Sequence, residues 1–142
     1  MNSLKFTHIF AVLLVICMIP STAFAYETNQ DDSIQLRYSQ ICYFTIDFDI
    51  SSAGLASCYS HIETDTASNG VALNMQLQRS SNGRTWSKIH EWSTDDKQTV
   101  SLDKTYYVSS GYLYRIHVTT TVSNSTGRVL ETATRDSSTV RY

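Results

Sequence analysis

The side chains that could do chemistry are few and scattered. Beyond the first 25 residues the histidines are His61, His90 and His117. None stands at a metal-ligand spacing from another, and neither an HxxxH nor a CxxC pattern occurs. Asp47 and Asp49 share one face of an alternating segment. No glycine-punctuated calcium loop accompanies them, so they read as a solvated face. Asp95-Asp96, just before Lys97, reads as a turn and not as an acid/base dyad. Serine and threonine are plentiful, but none is marked by a base that a third group orients. There is no G-x-S-x-G, phosphate loop or zincin motif. The sequence therefore points away from an enzyme and calls for no metal and no cofactor.

Aromatic chemistry is concentrated in SNGRTWSKIHEW, residues 81–92, which holds both tryptophans. Taking Asn82-Gly83 as a two-residue hairpin turn places Trp92 opposite Leu73, on the core side. The same register puts Lys88 and His90 inward and sends Ile89 outward, which is an awkward pattern. One β-bulge between the tryptophans would shift parity and bring Ile89 and Trp92 inward together. Trp92 is then a core residue, because a tryptophan has a large area to bury. Trp86, near the turn and stacked with Arg79, is the candidate ligand-facing aromatic. Arg79, Lys88 and His90 are its candidate polar neighbours for binding.

Cys42 and Cys58 are the two cysteines outside the leader-like segment. With Ser52-Ala53-Gly54 as a hairpin loop, Phe48 faces Cys58, Phe44 faces Ile62 and Ile50 faces Ala56. Cys42 then lies six residues from the position opposite Cys58, about 20 Å along the strand. A disulfide requires α-carbons about 5–6 Å apart. Two readings stay open: a pair of buried thiols acting as small apolar side chains, or a bridge that breaks the first strand near Phe44.

The elements behind these residues are strands. Phe44, Ile46, Phe48 and Ile50 alternate with polar residues, as do Ala56, Cys58, Ser60 and Ile62. Val71, Leu73, Met75 and Leu77 follow. A segment from Trp86 to Trp92 and another through Val100 and Leu102 come next. The longest run is Tyr112, Tyr114, Ile116, Val118, Thr120 and Val122, and residues 129–140 return from it. Period-2 alternation spaced by turn residues predicts seven short strands. Seven such strands point to an all-β, seven-stranded antiparallel β-sandwich of immunoglobulin or fibronectin-III-like kind, spanning residues 40–142. A tyrosine in YLYRI, residues 112–116, is expected to bond its hydroxyl back to nearby backbone at the corner before the sixth strand.

SNGRTWSKIHEW and KTYYVSSGYLYRIHV resemble a group of small secreted proteins of Gram-positive bacteria. The similarity covers residues 41–142. The resemblance implies an immunoglobulin-like sandwich and export. It implies no catalytic or binding residues.

The first 25 residues carry the pattern of a secretory signal. Lys5 and His8 precede an apolar run over residues 9–19, Pro20-Ser21 breaks it, and Ala23-Phe24-Ala25 offers a cleavage site. The run is shorter than the roughly 20 residues a membrane span needs. Residues 26–39 read as a polar tail. Net charge is −2 for the whole chain, and no basic stripe appears, which argues against nucleic acid and anionic membranes as partners. The expectation is a secreted, extracellular module that works by binding a protein or glycan outside the cell. The alternative is a secreted effector or antimicrobial-type protein, although no cationic amphipathic helix is present.

Overall fold

The computed structural model describes residues 38–66 and 69–142. The leader-like segment and nearly all of the polar tail lie outside the described residues. The strands are β1 (Ile41–Ile50), β2 (Leu55–Thr64), β3 (Gly70–Ser80), β4 (Ser87–Lys97), β5 (Thr99–Tyr107), β6 (Leu113–Ser123), β7 (Val129–Asp136) and β8 (Val140–Arg141). Every pairing is antiparallel. One sheet has the order β1-β2-β5; the other runs β4-β3-β6-β7, with β8 also on β6. The fold is thus all-β in two sheets, as the alternation predicts.

The expected seventh strand is divided in two. Ser137 causes the break. Its N–H donates to the Ile116 carbonyl at 2.9 Å, but its hydroxyl oxygen, not a carbonyl, accepts from Ile116 N at 3.0 Å. A side chain has taken a place in the ladder, and regular pairing resumes only at Val140, opposite Tyr114.

The first hairpin has the register that the sequence predicts: Phe48 faces Cys58, Phe44 faces Ile62 and Ile50 faces Ala56. Gly54 takes the left-handed conformation at φ 79°. That conformation favours glycine, and a β-carbon there would also stand 2.9 Å from the Tyr142 ring, which would have to move aside. At the other end of β1 the register slips between Ile41 and Tyr43. Cys42 is the extra residue of this bulge and is exposed, while Cys58 is buried. The expectation of two buried thiols is corrected at Cys42, because a bulge ejects its odd residue from the alternation. Both cysteines are free.

The core is the meeting of two inward faces. Phe44, Phe48, Ala56, Cys58, Ile62, Val100 and Leu102 come from the three-stranded sheet. Val71, Leu73, Met75, Leu77, Tyr114, Ile116, Val118, Val122 and Ala133 come from the other. Each large member is worth roughly 1.5–3 kcal/mol of burial. Polar residues that share this parity are paired: Ser60 donates to Thr45 O and Thr120 to Ala72 O. Tyr114 is fully buried, and its phenol donates to the Ser109 carbonyl at 2.6 Å. This is the corner bond expected of one of the two tyrosines at the start of β6.

Proline is absent from every described strand, so the sheet edges are managed by other means. Along the β1/β7 side, charged residues of β7 turn inward. Arg135 donates to the Phe44 carbonyl at 2.6 Å, and the Glu131 carboxylate accepts from Ser39 N and Gln40 N at 3.0 and 2.8 Å. Along the β4/β5 side, aromatic rings close the gap. His90 stacks on Tyr106 with centroids 4.8 Å apart and meets Trp92 edge-on at 4.6 Å.

Candidate functional site

Period-2 alternation that buries one face of the five-stranded sheet must present the other face to solvent. On β3 the outward residues are Ala72, Asn74, Gln76 and Gln78. Their neighbours on β6 are Thr121, Thr119, His117 and Arg115, and on β4 Asp95, Ser93, Glu91 and Lys88. β7 adds Asp136 and Thr134 beside His117 and Thr119.

These side chains are bonded to one another across four strands. Gln78 Oε1 accepts from Arg115 Nε at 2.9 Å, and Gln78 Nε2 donates to Gln76 Oε1 at 3.3 Å. Gln76 and Asn74 both donate to Glu91 Oε1, at 3.2 and 2.7 Å, and Asn74 also donates to Ser93 Oγ at 2.9 Å. Lys88 pairs with the second oxygen of Glu91. On the far side the Asp136 carboxylate holds Arg115 and His117, each at 2.6 Å.

Glu91 is the hub, with its carboxyl lowered from 4.5 to about 2 by hydrogen bonds from Lys88, then Asn74, then Gln76. Because the folded value lies below the unfolded one, the hub's contribution is intact above about 4.5 and is lost as pH falls toward about 2. A side-chain carboxyl NMR titration should give Glu91 that low midpoint, and Lys88→Met should raise it. A midpoint in the ordinary carboxylate range would show that the hub is not formed in solution.

Trp86 sits at one end of this face. The Arg115 guanidinium lies over its ring, 4.4 Å from the centroid. Arg79, the partner suggested by sequence, is not there. Its inward parity sends it to the opposite side of the sheet, where it stacks on Tyr112 at 4.3 Å. The connection from β3 to β4 is also longer than the two-residue turn expected, spanning residues 81–86. Asn82 Oδ1 accepts from Arg84 N and Thr85 N, and Ser80 Oγ accepts from Gly83 N. Such an Asx-type turn satisfies its own backbone, and the strands stay paired up to it, with Arg79 opposite Ser87.

The expected bulge is present. Leu77 faces His90 and Gln78 faces Lys88, so Ile89 is the extra residue. Ile89 and Trp92 are both half-buried against the core, with Trp92 opposite Met75 instead of Leu73. Of the four residues nominated from the sequence, Trp86 and Lys88 reach the outer face. His90 belongs to the aromatic closure of the β4/β5 edge, and Arg79 lies on the inner side. Asn74, Gln76, Glu91, Arg115, His117 and Asp136 complete the face. Only their outward parity could have nominated them.

At the opposite end from Trp86 the face sinks into an open trough of about 470 Å³. Its floor is Gly70 and Ala72 on β3. Ser93 and Asp95 on β4 form one wall, and Thr119, Thr121 and Ser123 on β6 form the other. Small residues on the central strand between longer ones on its neighbours make the depression. Among the described residues, no three of His, Cys, Asp and Glu gather as a metal would require. On the other sheet, Asp47 and Asp49 are both exposed. No protein-family model matches the chain, and no curated protein matches it significantly.

Proposed function

We propose that the protein is a small exported module that works by binding, without catalysis, through the outer face of its five-stranded sheet. The residues 1–25 signal pattern supports export, with cleavage near Ala25. A fibronectin-III-like sandwich is supported by the division of strands into β1-β2-β5 and β4-β3-β6-β7 and by the Tyr114 corner bond. The partner is a glycan or a protein outside the cell, and not nucleic acid.

One observation carries this reading: the hydrogen-bonded side chains from Lys88 through Glu91, Asn74, Gln76 and Gln78 to Arg115 and Asp136. A solvent-facing surface gains little stability from surface ion pairs, about 0–1 kcal/mol each. What the network does provide is a set of polar groups fixed in position, which lowers the ordering cost of binding. Binding of the purified protein to glycan and extracellular-protein panels tests it. Trp86→Ala and Asn74→Ala should each weaken the detected ligand by roughly tenfold, the order of one buried polar or aromatic contact. Unaltered affinity in both variants would remove this face from consideration.

A further inference from the structure

We propose that the trough over Gly70 and Ala72 is a saccharide subsite, in which the Asp95 carboxylate accepts hydrogen bonds from adjacent sugar hydroxyls. This rests on the reading of the outer face as the binding surface and names its ligand.

Hydrogen-bonding capacity is distributed unevenly along that face. Near Trp86 it is spent: Glu91 accepts from three side chains, and Asp136 is taken by Arg115 and His117. At the trough it is open. Among the described residues the side chains of Asp95, Thr121 and Ser123 have no hydrogen-bond partner, and Asn74 Oδ1 accepts from none. A carboxylate offers two acceptor oxygens in one plane, and hydroxyls both donate and accept. A ligand that meets this set presents donors and acceptors close together, as adjacent sugar hydroxyls do.

The lining also excludes other chemistries. No lysine or arginine borders the trough, so a phosphate, sulfate or uronate group would meet Asp95 without a counter-charge. Its walls bear hydroxyls and a carboxylate over a floor of small apolar residues, which suits a ligand with polar edges and an apolar face, as a sugar ring has. A volume of about 470 Å³ lies in the usual range for small-ligand sites. Ala72 to Gln78 spans roughly 20 Å of strand at about 3.3 Å per residue. The trough and Trp86 are therefore two ends of one path along β3, and a neutral, linear oligosaccharide laid along it would contact both.

The test is titration of the purified protein with neutral gluco-, xylo-, manno- and chito-oligosaccharides, from monosaccharide to hexasaccharide, followed by backbone amide NMR. The expected result is shifts at Ala72, Asn74, Asp95 and Thr121 with short members of one series, and tighter binding as the chain lengthens. Asp95→Asn should weaken every length at least tenfold, while Trp86→Ala weakens only the longer ones. Asp103→Asn, on the other sheet, should change neither. If no saccharide binds while a protein partner is lost on Asn74→Ala, the saccharide subsite is overturned and the binding face stands. If neither ligand class binds, both fall. Wild-type affinity in Asp95→Asn would overturn the role given to that carboxylate.

Discussion

Thiol labelling of the reduced native protein is expected to modify Cys42 and to leave Cys58 untouched until the chain unfolds. Cys58 is fully buried opposite Phe48, and burial pushes its thiol from 9.0 up to about 12. In mildly alkaline solution, where both values lie above the pH, that shift alone lowers the thiolate fraction about a thousandfold, and the thiolate is the reactive form. Steric exclusion adds to it. Cys42 is the ejected residue of the β1 bulge, is exposed, and donates only a weak hydrogen bond to Glu63 O at 3.3 Å. The two are about 20 Å apart along the strands, well beyond disulfide reach. Equal labelling of both thiols in the native protein would contradict the burial of Cys58. A native mass showing an intramolecular disulfide would contradict the β1/β2 register itself.

Tyr114→Phe is expected to cost about 0.5–1.5 kcal/mol, the usual net worth of one hydrogen bond, because the accepting residue, Ser109, is itself exposed and its carbonyl can bond water instead. In a domain of this size that corresponds to a fall in Tm of about 4–8 °C for each kcal/mol. The phenol contributes through its bond to Ser109 O at 2.6 Å, which fixes the chain where it turns into β6. Burial raises its ionisation above the ordinary 10.0, so it remains a donor through the neutral range. Tyr112→Phe provides the contrast. Tyr112 is half-buried and keeps its ring under Arg79 without a hydroxyl. Thermal unfolding should separate the two variants clearly. Equal losses would mean that the corner bond contributes nothing specific.

Legibility in the sequence followed the range of the interaction. The Ser52-Ala53-Gly54 loop and the alternation around it specify the β1/β2 pairs correctly, because turn and register are local and a slip of one residue would expose the apolar set. The second hairpin is harder. Asn82-Gly83 resembles a tight turn, but Ser80 and Asn82 side chains draw it into a longer loop and shift the register. The conflict in parity at Lys88, Ile89 and His90 nonetheless signals a bulge, and one lies at Ile89. Trp86 is marked by its type, yet its cation is Arg115 and not Arg79, since the longer loop and the bulge set Arg79 opposite Ser87, on the inner side with Tyr112, and leave Trp86 beside the outward Arg115.

By themselves, the amino acids determined an all-β chain, the inward and outward sets of β1, β2, β3 and β6, the first hairpin's register and a corner tyrosine. All of these follow from side-chain alternation and from turn chemistry acting over a few residues. The tertiary structure alone decided which outward residues meet. Gln78 bonds Arg115 and His117 bonds Asp136 only because β3, β6 and β7 are neighbours in one sheet. The trough exists only because Gly70 and Ala72 lie between β4 and β6. Strand order brings distant segments side by side, and no period within a single strand encodes which segments those will be.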